Sequence, residues 1–265
     1  MKTIAIANQR SGVGKTATTL SLGMALAERN ARVLMVDLDP QAALSAACGV
    51  DECQGESLAE VIGGSQPGKL NMREILREVL PERHCLLAPS ELALAQSELG
   101  LNFRMGREGV LRKAMEKIAS DFDVALIDCP SSLGMLSVNA LNTAQAVLVP
   151  TRPELLDMRG VLLFLAELER IKEEINPKLE TLGVLVTYYN QALEPHRNAI
   201  LAMKDAGLSL LPPGIELRAQ DDGEDIKDDL KPVHATGDPE VREQIVSYVE
   251  QWLAGWRAWE PSASD

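Results

Sequence analysis

The stretch Asn8–Thr19, Asn-Gln-Arg-Ser-Gly-Val-Gly-Lys-Thr-Ala-Thr-Thr, constrains what this chain can fold into more than any other part of it. The apolar run Ile4-Ala5-Ile6-Ala7 leads into it, and a helical pattern from Leu20 to Glu28 leaves it. Strand, glycine loop and helix in that order make a phosphate cradle. Backbone N–H groups converge on an anion, and the helix N-terminus adds the positive end of its dipole. Gly12 and Gly14 let the main chain turn where a Cβ would clash. Lys15 is placed to reach β- and γ-phosphates, and the Thr16 hydroxyl to hold Mg2+. The standard pattern has glycine where this chain has Gln9. That leaves a deviant phosphate loop or an ordinary glycine turn, and Gly-Lys-Thr at a strand-to-helix junction favours the loop.

Downstream, strand and helix patterns alternate. Arg32–Asp37 is an apolar strand ending in Asp37-Leu38-Asp39-Pro40-Gln41. Gly63 to Gly68 reads as a loop, Asn71–Leu80 as a short helix, His84–Ala88 as a strand, Glu91–Leu99 as a helix and Arg107–Ser120 as a longer amphipathic helix. Val124–Ile127 is a buried strand that runs into Asp128, and Ala146–Pro150 is another. A long helix over about 154–175 and a strand over 182–187 follow. This repetition predicts an α/β fold: one domain over 1–265, with a mostly parallel twisted sheet flanked by helices on both faces. From Gly214 onward the pattern weakens. Nine acidic residues between 216 and 240 face Arg218, Lys227 and Lys231, which predicts a solvated surface loop. A final helix over about 239–259 carries Val241, Ile245, Tyr248, Trp252, Trp256 and Trp259 at helical spacing. Packing on the sheet is the expected use of that stripe, ahead of a partner-facing one.

Composition then excludes classes. No apolar run is long enough to span a bilayer, and a strand beginning at the N-terminus leaves no room for a signal peptide, so a cytoplasmic chain without membrane contact is expected. Cys48, Cys53, Cys85 and Cys129 have no paired spacing and read as reduced, mostly buried thiols. A formal charge of −13 works against non-specific nucleic-acid binding and favours a cationic partner.

Two aspartates accompany the loop. Asp128 follows a buried strand, the position from which a carboxylate holds Mg2+. Asp39 stands after the second strand, where it can orient an attacking water. A lone strand-end aspartate is more often a cap or turn residue. Three such stations in order on one α/β pattern weaken that simpler reading.

These residues resemble the ParA/MinD ATPases. Asn-Gln-Arg-Ser-Gly-Val-Gly-Lys-Thr is similar to their deviant Walker A loop, Lys-Gly-Gly-x-Gly-Lys-Thr. Val-Asp-Leu-Asp-Pro-Gln at 36–41 and Ile-Asp-Cys-Pro-Ser-Ser-Leu-Gly at 127–134 resemble the second motif and the Walker B segment. Ser-Val-Asn-Ala-Leu at 137–141 and Val-Leu-Val-Pro-Thr-Arg-Pro-Glu at 147–154 continue the match, which covers about residues 1–190 and fits the ParA branch best.

The resemblance implies an ATPase that dimerises around ATP and releases partners on hydrolysis, with ATP and Mg2+ as cofactors. It places Arg10, Ser11, Gly12, Val13, Gly14, Lys15, Thr16 and Ala17 on the nucleotide phosphates. Pro212 falls in the segment the family uses for adenine packing; Thr187 and Asn190 sit after a strand, where nucleotide-binding folds often place base contacts, although a strand-end asparagine is usually a turn former. Thr16, Asp39 and Asp128 serve the metal, and Lys15, Asp39 and Arg10 serve catalysis. Arg10 stands where the family has a signature lysine reaching across the dimer; a guanidinium keeps the charge but changes reach and shape, which leaves an arginine finger in trans or dimerisation with slow hydrolysis, and weak basal turnover is the expectation. Ser11 replaces a glycine, a cost if the position needs positive φ.

The family positions DNA or other cargo on nucleoid DNA, and the first reading here is a ParA-like partition ATPase that moves plasmid or chromosomal DNA with a ParB-like adaptor. Here Pro213 and Glu216 stand where arginines serving adenine packing and DNA binding are usual; Arg218 is an available substitute, but with the acidic charge the loss makes non-specific DNA binding doubtful. The adaptor is expected to bring a basic stimulating segment. A loop beginning at residue 8 predicts no N-terminal DNA-binding domain. The alternatives are a cargo-positioning ATPase of the carboxysome type, an iron–sulfur-bridged metabolic relative, and a nucleotide-gated binding module with little hydrolysis.

Overall fold

The apolar runs pair side by side, as their continuous hydrophobicity requires of a sheet covered on both faces. The structure is a computed structural model and describes residues 1–50, 56–63, 70–80, 84–211 and 239–255. Among these, seven strands form one sheet in the order β3-β4-β2-β5-β1-β6-β7. The strands are β1 (Lys2–Ile6), β2 (Val33–Asp37), β3 (Arg77–Leu80), β4 (Cys85–Ala88), β5 (Val124–Asp128), β6 (Ala146–Thr151) and β7 (Glu180–Val186). All pairings are parallel except β3 with β4, at the edge. The expected mostly parallel α/β sheet is therefore the fold.

Strand alternation divides the core into two layers. Leu34, Val36, Ala125, Ile127, Val147 and Val149 face one cluster. The helices on that side are α3 (Leu58–Gly63), α4 (Leu94–Leu101), α5 (Val110–Glu116), α6 (Met135–Thr143), α7 (Leu155–Glu174) and α8 (Glu194–Asp205). Ile4, Ile6, Val33, Met35, Leu126 and Leu148 face the other cluster, under α1 (Lys15–Glu28) and α9 (Pro239–Gly255). A short helix, α2 (Ala43–Ala47), follows β2. The final helix packs on the sheet, as expected. Ile245, Val249 and Leu253 are buried at four-residue spacing, Tyr248 donates to the Leu182 carbonyl at 2.9 Å, and Arg29, just past the end of α1, pairs with Glu243 and Glu250. Trp256 and Trp259 lie outside the described residues, as do Cys53, Gly64–Gly68 and the acidic stretch as far as Asp238.

The structure corrects several local expectations. Residues 71–80 are not a helix. A single 3-10 turn, Met72–Ile75, is capped by the Asn71 side chain, which accepts from Arg73 N at 3.1 Å, and β3 follows. Antiparallel pairing of Arg77–Leu80 with β4 overrides a helical propensity that held only locally. The helix expected over Arg107–Ser120 is shorter. It starts with a 3-10 turn after Gly106 (φ 65°) and is α-helical over Val110–Glu116. Gly63 closes α3 rather than opening a loop. The helix α8 had no counterpart in the sequence reading, although Pro195 in its first turn is a start signal.

Gly63 also sets how closely α3 and α4 approach. A Cβ there would stand 2.7 Å from the Ser97 Cα and 2.2 Å from its Cβ, so the helices would have to separate. Gly63→Ala is expected to destabilise the fold by about 1–3 kcal/mol. A lower urea midpoint at constant slope checks it; an unchanged midpoint rejects it.

Candidate functional site

The glycine loop, Lys15, Thr16, Asp39 and Asp128 converge at the C-terminal edge of the parallel strands, where open α/β sheets bind ligands. β1 ends at Ile6, the loop crosses that edge, and α1 begins at Lys15. Gly12 (φ 69°) and Gly14 (φ 84°) both take the left-handed conformation that glycine accommodates. Gly14 is the N-cap of α1 and no side chain caps it, so the first amides of the helix are left for a ligand. Ser11 does not take a positive φ, so a serine in place of the glycine carries no backbone strain. Val13 is buried and anchors the loop, while Ala17 sits half-buried in the first turn of α1.

Asn8 steadies the loop's entry: its amide donates to the Pro150 carbonyl at 2.7 Å, and its oxygen accepts from Arg10 N at 3.1 Å. The Lys15 side chain is folded over the loop, its Nζ donating to the Arg10 carbonyl and to Ser131 Oγ, both at 3.0 Å. It is only 7% exposed. Burial lowers the pKa of its amine, against the opposing pull of Asp128, Cys129 and Asp39.

Thr16 Oγ1 donates to Asp128 Oδ2 at 2.7 Å. Asp128 is 1% exposed, and its Oδ1 has no hydrogen-bond partner among the described residues. Burial, and then the neighbouring Asp37, push its carboxyl up to about 8. Asp37 lies across from Asp128 in the β2–β5 register. Burial raises Asp37 to about 6, against hydrogen bonds from Ser45 Oγ at 2.7 Å, Ser45 N at 2.8 Å and Asp39 N at 3.2 Å. Asp37 thus braces the turn that carries Asp39. Asp39 itself is half-buried; its Oδ1 accepts from Gln41 N at 2.9 Å, and its carbonyl accepts from Ser90 Oγ at 2.7 Å.

Other expected residues stand differently. Arg10 is engaged by its own chain: it pairs with Asp157 at 2.7 Å and Glu154 at 3.7 Å, at the start of α7. Asp157 is 1% exposed, and its pKa is raised by burial against the pull of Arg10. Thr187 is buried, its hydroxyl 2.8 Å from the Val13 carbonyl and 3.0 Å from that of Thr151, so it holds the loop from beneath. The Asn190 side chain accepts from Ala192 N at 2.9 Å and forms a turn, the ordinary use of a strand-end asparagine. Pro212, Pro213 and Glu216 lie outside the described residues. Cys85 and Cys129 are buried, and burial pushes both thiols up, so neither is the exposed thiolate an iron–sulfur bridge needs.

Sequence reading missed Asn8, Asp37, Ser131, Arg152 and Asp157. The signal for Asp37 was its place two residues before Asp39 on a buried strand. The signal for Ser131 was its place three residues after Asp128 within the Walker B resemblance. Asp157 offered none, because its partner is 147 positions away in the chain.

Left-handed glycines, an uncapped helix start, a folded-over lysine and a threonine hydrogen-bonded to a strand-end carboxylate together have the geometry of a P-loop. A family model described as an AAA domain matches residues 1–181. The chromosome partitioning protein ParA of Caulobacter vibrioides is 37% identical over 194 residues, 72% of this chain and 71% of its own length. This chain belongs to the ParA/MinD-type P-loop ATPases. An uncharacterized protein of Mycobacterium tuberculosis is 37% identical over 193 residues, 71% of this chain, and the match spans 58% of that relative's length. Among solved structures, cobyrinic acid a,c-diamide synthase from Mycobacterium smegmatis, with an ATP analog and magnesium bound, superposes with a TM-score of 0.81 at 34% identity, over 97% of this chain and 96% of its own. No helix among the described residues is long and apolar enough to cross a membrane.

Proposed function

We propose that this chain is a ParA-like nucleotide switch: it binds ATP with Mg2+, dimerises around the nucleotide, and releases its partners on hydrolysis while positioning DNA or another cargo. The observation that carries the reading is the Thr16–Asp128 pair beneath the glycine loop. The pair presents hard oxygen donors, and the buried Asp128 Oδ1 has no partner among the described residues, which fits a magnesium site. Bound Mg2+ would neutralise charge on the phosphate oxygens. Lys15 would turn its amine from Ser131 to phosphate, and Asp39 would orient water. The ATP analog and magnesium held by the Mycobacterium smegmatis neighbour support the same reading.

The acidic charge, −13, favours an adaptor with a basic segment over bulk DNA attraction, and a cytoplasmic setting suits this class of switch. One observation favours the alternative of a gated binding module with little hydrolysis. Arg10 is paired within its own subunit, and reaching a partner's nucleotide would cost the Asp157 contact.

Size-exclusion chromatography with no nucleotide, ADP or ATP plus Mg2+, run beside a phosphate-release assay, tests both. A dimer formed with ATP alone, with slow phosphate release, is the expected outcome. A dimer without measurable release selects the binding module, and a monomer in every state rejects the sandwich. A DNA titration at two salt concentrations in the same three states shows whether the cargo is carried on DNA. Salt-sensitive binding confined to ATP is the positive result.

A further inference from the structure

Arg152 is the first residue beyond β6 and has no role in the reading above. Its Nε donates to the Gly12 carbonyl at 2.8 Å. Its guanidinium carbon lies 5.0 Å from the centre of the Tyr188 ring, and its NH1 is 3.9 Å from Glu154. Tyr188 is held in the left-handed region (φ 53°), directly after Thr187, whose hydroxyl meets the next loop carbonyl, that of Val13. The ends of β6 and β7 therefore grip two consecutive carbonyls of the phosphate loop.

We propose that Arg152 is a positioning residue that presets the phosphate loop for an anion, by holding the Gly12 carbonyl out of the cradle. The inference deepens the nucleotide-switch reading and rests on it for the identity of the anion as a nucleotide phosphate. In a trans peptide the C=O and the following N–H point in opposite directions. A Gly12 carbonyl turned to Arg152 therefore turns the Val13 N–H the other way, and the Val13 carbonyl at Thr187 does the same for the Gly14 N–H. Glycine at positive φ makes the turn sterically allowed but does not select it, because glycine occupies many backbone conformers at similar cost. A flipped Gly12–Val13 peptide would point a carbonyl dipole at phosphate. The charge-assisted hydrogen bond from Arg152 disfavours that flip, and stacking on Tyr188 fixes the guanidinium plane that donates it.

Two measurements on the 265-residue chain test this. The first needs no nucleotide: amide hydrogen exchange of segment 10–16 in the wild type and in Arg152→Gln. Faster exchange in the variant is expected, and equal exchange overturns the clamp. The second titrates fluorescent ribose-labelled ADP and ATP with Mg2+. Arg152→Gln is expected to weaken both by about tenfold, because the cradle serves the phosphates the two nucleotides share. Arg152→Lys, which keeps a donor but loses the stacked plane, is expected to recover part of the loss. A loss confined to ATP overturns the proposal, since it would mean direct contact with the γ-phosphate. An affinity loss that follows a fall in melting temperature also overturns it, since the role would then be general stability. If the wild type binds neither nucleotide, the parent reading fails, and the exchange measurement still decides whether Arg152 orders the loop.

Discussion

Replacing Lys15 with alanine is expected to reduce ATP hydrolysis by at least about 100-fold, the scale seen when one preorganised donor to developing charge is removed. The amine is buried, and it is held by two oxygens, the Arg10 carbonyl and Ser131 Oγ, that a phosphate can outcompete. It is thus stored close to where it acts, and its reorganisation on binding is small. Burial favours the uncharged amine and the surrounding carboxylates favour the charged one, so an incoming phosphate would add to the second effect. Because truncation also removes a buried aliphatic stem, Lys15→Gln should be measured alongside. Phosphate release from Lys15→Gln within threefold of wild type, with folding intact by urea titration, would remove Lys15 from the catalytic set.

Asp39→Ala is expected to separate binding from turnover. Nucleotide affinity stays near the wild-type value, while phosphate release falls by about 100-fold or more, as for loss of a group that orients or deprotonates the nucleophile. The structural cost is small, because the Asp39 carboxylate accepts one local hydrogen bond, from Gln41 N, and stands half in solvent. A persistent ATP-bound dimer on size-exclusion chromatography accompanies the kinetic loss if the switch reading holds. Asp37→Ala provides the contrast. That carboxylate is fully buried and braces Ser45 and the Asp39 amide, so its loss lowers the urea midpoint before it changes chemistry. Full turnover in Asp39→Ala would place water activation on another residue.

The two aspartates show where sequence reading stops. Three positions, 37 to 39, hold a brace, a core leucine and the candidate water-orienting group. The pattern Val-Asp-Leu-Asp marks the motif without ranking its carboxylates. Burial ranks them: Asp37 is the last residue of a strand covered on both faces, and Asp39 is past its end. Arg10 shows the same limit. Its substitution for lysine was visible, but its engagement by Asp157 was not, since a lone aspartate in an amphipathic helix has no local mark.

What the sequence by itself determined was local and periodic. The glycines of the loop, the lysine and threonine at the helix start, the strand-end carboxylates and the parallel α/β class all follow from contiguous residues. Backbone sterics, helix dipoles and burial patterns act over a few positions. The tertiary structure alone decided which distant groups hold the loop. Arg152 meets Gly12 across 140 positions, Thr187 meets Val13 across 174, and Lys15 meets Ser131 across 116. These meetings arise because the strand order β5-β1-β6-β7 brings the ends of four strands, far apart in the chain, to one edge of the sheet. The same cause turned residues 77–80 into an edge strand, since pairing with β4 is a long-range energy that no local propensity encodes.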